Sequence, residues 1–114
     1  METYANDELN PLDSPFLRDV VQAACEKRGW SIYNTYVAIQ LAKFIENTRE
    51  MVGKLPRTIA GVCLLTVAVR LNTHETLREI AYCVGITWQT VQKRYNEYHY
   101  LWDQFPWEDF PPQE

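Results

Sequence analysis

Residues 77–96 read Leu-Arg-Glu-Ile-Ala-Tyr-Cys-Val-Gly-Ile-Thr-Trp-Gln-Thr-Val-Gln-Lys-Arg-Tyr-Asn. Counted from Leu77, a small residue (Ala81) falls fifth, a glycine (Gly85) ninth and a branched aliphatic (Val91) fifteenth, with Ile80, Val84 and Ile86 at further inward positions. This is the spacing of a helix-turn-helix. Two helices that cross closely at a short turn need a small side chain at the crossing, a glycine for the left-handed backbone of the turn, and an apolar anchor on the second helix. Thr76-Leu77-Arg78-Glu79 is a capping box, so the first helix of the pair begins near Leu77. Gly85 stops it, and Thr87 can cap a second helix that runs to about residue 101. The inner face of that second helix would hold Val91, Tyr95, Tyr98 and Trp102, and Arg94 is a local departure at an expected inward position.

The same spacing leaves Thr87, Trp88, Gln89, Gln92, Lys93 and Asn96 on the outer face of the second helix, and these are the candidate DNA-binding residues. Glutamine and asparagine amides form bidentate pairs with adenine. Lys93 can reach guanine or phosphate, and Thr87 can bond a phosphate beside free backbone amides. A tight helix pair inside any helical bundle gives a similar turn, and a polar outer face is what any surface helix presents. The pattern therefore leaves open both a DNA reader and a helical module that binds protein.

Working outward, the stretch 59–69 is apolar nearly all round and is opened by Pro56, which suits the first position of a helix. A buried strand is the other reading of so many β-branched residues, but the length and the helical neighbours favour a central helix surrounded by others. Ser14-Pro15 pairs a capping hydroxyl with a helix-opening proline, which predicts a first helix over 15–28 ended by Gly29. A second amphipathic helix is expected over about 32–49, followed by a compact break at 51–55. Past the fifth helix, three prolines forbid further helix, and Trp102, Phe105, Trp107 and Phe110 are too apolar for a solvated tail. Folding back onto the helices is the favoured reading, with contact to a partner as the alternative.

At 114 residues, 46% hydrophobic and 23% charged, the chain suits one globular domain. Such a chain buries roughly two-thirds of its unfolded surface and needs no staple. Cys25, Cys63 and Cys83 are odd in number and widely spaced, which argues against a disulfide framework or a zinc knuckle and for a reducing compartment. The apolar run is about half the roughly 20 residues that a bilayer span requires, so no membrane segment is expected. His74 and His99 have no supporting ligand cluster, and no phosphate loop, nucleophile elbow or carboxylate pair is recognisable. Neither an enzyme nor a metal or other cofactor is expected. The net charge of −4 misleads, because residues 1–13 and 102–114 each carry four acids and no base. Residues 14–101 hold seven acids against all 11 basic residues, a surplus of +4.

The order of these features resembles a cyclin-box repeat of the general transcription factor TFIIB and its archaeal counterparts, best the second, C-terminal repeat, over about residues 14–110. Pro56-Arg57-Thr58-Ile59-Ala60-Gly61-Val62-Cys63 looks like the family's S-P-x-x-I-A-A-A-x segment, and Thr76-Leu77-Arg78-Glu79-Ile80-Ala81 looks like its T-x-K-E-I-A. Gly85-Ile86-Thr87, Thr90-Val91 and Arg94-Tyr95 follow its G-V-x-x-x-T-I-R-x-x-Y, and Phe105-Pro106 with Asp109-Phe110 its terminal F-P-x-D-F. The resemblance implies an all-α fold, a single cyclin-box repeat of five helices whose last two form the helix-turn-helix. Charge and composition divide the chain into an acidic flexible extension at 1–13, the repeat at 14–101 and an aromatic, proline-rich acidic tail at 102–114. The resemblance further implies promoter DNA, TATA-binding protein, RNA polymerase or other initiation factors, and a first cyclin repeat as partners, in the nucleus or in an archaeal cytoplasm. Where the family commonly has a valine and an arginine that touch bases, this chain has Gln89 and Gln92, so any sequence it reads should differ. The alternative is a cyclin-like protein–protein interaction module without DNA binding.

Overall fold

The computed structural model describes residues 10–48 and 54–113. Among them are five helices and no strand: α1 (Leu17–Arg28), α2 (Ile32–Glu46), α3 (Pro56–Arg70), α4 (Leu77–Val84) and α5 (Trp88–Trp102). The apolar run is a helix, as its length and opening proline predict, and every residue from Thr58 to Ala68 is buried. It can be apolar all round because it packs against α1, α2, α4 and α5. Asn72 takes the left-handed conformation (φ 57°) just past its end, and the Thr73 N–H returns to the Ala68 carbonyl.

Two helix boundaries differ from the sequence expectation. The first helix starts at Leu17 rather than 15, because the Ser14 hydroxyl serves a turn ahead of it, accepting from the Phe16 N–H at 3.1 Å and donating to Asp19 at 3.2 Å. The capping position passes to Phe16, which has no oxygen to offer. The second helix ends at Glu46, not 49, since Asn47 leaves helical geometry and its side chain donates back to the Lys43 carbonyl at 3.1 Å. Residues 51–53 of the expected break, and residues 1–9 of the acidic extension, lie outside the described residues.

Both ends of the described chain join the body. Residues 11–13 form a short 3₁₀ turn, opened by the Asn10 side chain, that buries Leu12 in the core. At least from Asn10, then, the acidic segment is packed rather than loose, because Leu12 is apolar and Asp13 pairs with Arg57. Asp103 pairs with Arg70 in the same way, and these two contacts neutralise part of the basic surplus of the repeat. The tail folds back as favoured: Phe105 is buried, edge-on to Phe44, and stacks with Phe110. The Trp107 indole N–H donates to the Trp102 carbonyl at 2.8 Å, and the Tyr33 hydroxyl to the Pro111 carbonyl at 2.7 Å. All three cysteines are buried free thiols; burial pushes Cys25 up to about 12 and raises Cys63 and Cys83.

Candidate nucleic-acid interface

The two-helix unit is built by local chemistry at each of its joints. At the start of α4 the Thr76 hydroxyl accepts the Glu79 N–H at 3.1 Å, while the Glu79 carboxylate accepts the Thr76 N–H at 3.0 Å. Those bonds, from the Thr76 backbone first and its hydroxyl second, hold the Glu79 carboxyl below its usual range. At the far end Gly85 sits at φ 74°, a left-handed position, and the Ile86 N–H reaches back to the Ala81 carbonyl at 3.1 Å. Thr87 then caps α5, accepting the Thr90 N–H at 3.3 Å.

Behind the turn, α3 meets both helices at Gly61. A Cβ there would come within 3.1 Å of Val91 and 3.3 Å of Val84, so the missing side chain is what lets α4 and α5 lie so close to the central helix. Sequence reading passed over this position; its signal was a lone glycine inside an otherwise apolar helix.

Of the six candidate residues, Gln89, Lys93 and Asn96 lie exposed along one stripe of α5. Gln92 is half-buried beside them and its amide donates to the Asn96 oxygen at 2.9 Å. Thr87 is exposed at the helix start with its hydroxyl engaged in the cap. Trp88 does not join the outer stripe. Its ring is half-buried against the core and lies under the Arg78 guanidinium, 4.8 Å from the ring centre. A long side chain in the first turn of a helix leans back toward the preceding residues, and Arg78 on α4 waits there.

A cleft of about 280 Å³ opens beside this stripe, lined by Lys54, Leu55, Thr58, Ile59, Thr90 and Arg94. Arg94 is half-exposed and bonds Glu97 at 2.8 Å, while Lys54 lies over the Tyr98 ring. The cleft was absent from the sequence reading, although Arg94 had already stood out as a charge at an inward position. Among the described residues Lys54 and Lys93 have no carboxylate partner, so one uncompensated cation lies on the α5 stripe and another lines the cleft beside it. Such an arrangement offers amides for hydrogen bonding in a groove and ammonium groups for anions. His74 and His99 are both exposed, and among the described residues no cluster of three or more His, Cys, Asp or Glu gathers as in a metal site. No helix among those residues is long and apolar enough to cross a membrane.

A family model described as the transcription factor TFIIB repeat matches residues 15–100, which takes in all five helices but for the last two residues of α5. Transcription initiation factor IIB of Aeropyrum pernix is 35% identical to the chain over 65 residues. The aligned part is 54% of this chain and 20% of that protein, so the chain spans about a fifth of the relative it matches. No solved structure matches. With most of its length matched by the family model, and with the helix-turn-helix, the proline-opened central helix and the folded-back tail all in place, the chain belongs to the TFIIB repeat family.

Proposed function

We propose that the chain is a DNA-binding module of a TFIIB-like general transcription initiation factor. In this reading it contacts promoter DNA through α5, acts together with TATA-binding protein, and helps to recruit RNA polymerase, in the nucleus or in an archaeal cytoplasm. The observation that carries the proposal is the exposed stripe Gln89, Lys93 and Asn96 on a helix held out by a well-capped turn, with the Lys54 and Arg94 cleft at its side. Amides on the stripe read base edges, and the lysines and Arg94 hold phosphates.

The test is duplex binding measured against salt, with TATA-binding protein and promoter DNA supplying a second anchor, because an isolated repeat is expected near the non-specific range of roughly 10⁻⁴–10⁻⁶ M. Gln89→Ala should cost about 1–3 kcal/mol of discrimination at one base pair, whereas Lys93→Ala should weaken binding to all sequences and lower the salt slope by about one unit. Both variants keep the fold, since both side chains are exposed.

Ile32, 91% exposed on α2, and the half-exposed Tyr36 favour a protein partner at α2, such as a first cyclin repeat. They also sustain the second reading, a protein-interaction module with no DNA contact. That reading prevails if duplex binding is undetectable at low salt with TATA-binding protein present.

A further inference from the structure

The α4–α5 turn is tied to the N-terminal 3₁₀ turn by one side chain. Arg57, the second residue of α3, donates from Nε to the Leu12 carbonyl at 3.1 Å, from Nη2 to the Asp13 carboxylate at 2.5 Å and from Nη1 to the Val84 carbonyl at 3.2 Å. Val84 is the last residue of α4, and its carbonyl is one of those that a helix end leaves without an intrahelical donor. A planar guanidinium can reach three acceptors on separate segments at once, whereas an ammonium acts as a single point. Gly85 leaves it the room: a Cβ there would stand 2.7 Å from Nη1. Leu12 anchors the other end by its burial, and a groove of about 210 Å³ brings Leu12, Asp13, Pro56 and Arg57 together with Ile86 of the turn.

We propose that Arg57 is a positioning residue, which clasps residues 12–13 to the carbonyl end of α4 and so fixes the angle at which α5 is presented to DNA. The inference rests on the DNA-binding reading for its functional half, and on geometry alone for the clasp. Nothing in it requires Arg57 to touch DNA, and each of its three nitrogens already donates within the protein. Gly85 then has two reasons to be glycine, the left-handed backbone and the seat of the guanidinium.

The experiment pairs amide hydrogen exchange of the free protein with duplex binding for the wild type, Arg57→Lys, Gly85→Asn and the double variant, all in the full chain. Lysine keeps the charge and guards against unfolding, and asparagine tolerates the left-handed backbone while pressing on the guanidinium. Arg57→Lys should speed exchange at residues 85–88 by about tenfold, as for loss of a charge-assisted bond, and leave the central amides of α3 unchanged. Duplex affinity should fall by about three- to tenfold with the salt slope intact. Gly85→Asn should reproduce both effects, and the double variant should be no worse than either single one, because both break the same contact. Unchanged exchange in Arg57→Lys overturns the clasp whatever happens to DNA binding. Arg57→Gln, which removes the charge, should likewise keep the salt slope, and a slope lowered by about one unit in that variant overturns the clasp differently, by making Arg57 a phosphate contact. A wild-type chain that binds no duplex removes the functional half together with the reading beneath it, and exchange alone then upholds or overturns the clasp.

Discussion

Gly61 shows how much of this fold turns on one missing methyl group. A glycine inside a helix costs roughly 0.5–1 kcal/mol relative to alanine, so Gly61→Ala would stabilise α3 if space allowed. Val84 and Val91, which a Cβ would meet, are both fully buried and stiff about their first torsion, and overpacking such a site costs about 1–3 kcal/mol. Packing should win, with a net loss of about 1 kcal/mol and a thermal midpoint roughly 4–8 °C lower. A midpoint equal to or above the wild type would show that α5 can retreat from α3 freely. The sequence marks Gly61 as unusual but cannot show why, because its partners are 23 and 30 residues away. Trp88 and Arg57 are of the same kind. Their surroundings come from Arg78 and from Leu12, Asp13 and Val84, which no local spacing reveals.

At the scale of elements, legibility follows how local the deciding chemistry is. The capping box, the proline opening α3 and the glycine stops at Gly29 and Gly85 all work through neighbours in sequence, and each was read from the residues alone. Ser14 misled because its hydroxyl had two local uses, a helix cap or a preceding turn, and the packing of Leu12 settles which. The capping box also makes a pH prediction. Glu79 has its folded pKa depressed, so its contribution is fully present above the unfolded value of about 4.3 and is lost as pH falls through the lower folded value. The midpoint difference between wild type and Glu79→Gln should therefore stay constant from neutral pH to about 5 and shrink below about 4. Melting curves across that range check it. A difference that persists undiminished to pH 3 would mean that charge plays no part in the cap.

Over the whole molecule, the two ends matter more than their composition suggests. The tail's aromatics, too apolar for solvent, hold it against the helices despite its acids and prolines: Phe105 is buried, and Trp107 and Phe110 pack around it over Phe44 and Tyr36. Removing residues 104–114 takes away the buried Phe105 and leaves the Trp102 carbonyl without the Trp107 indole N–H. Asp103 and its pairing with Arg70 remain, so the deletion leaves that end of α5 its charge. Burial of one phenylalanine is worth about 1.5–3 kcal/mol, and at roughly 4–8 °C per kcal/mol the midpoint should fall by upwards of about 6 °C. Charge is separated from packing by a second variant, Glu108→Gln with Asp109→Asn, which keeps every aromatic. Both acids are exposed and unpaired among the described residues, so this variant should stay within about 0.5 kcal/mol of the wild type. If the deletion leaves the midpoint unchanged, the aromatics do not pack on the helices in solution and the tail is free for a partner. A large loss in the charge variant instead would assign the tail's hold to its carboxylates rather than to its rings.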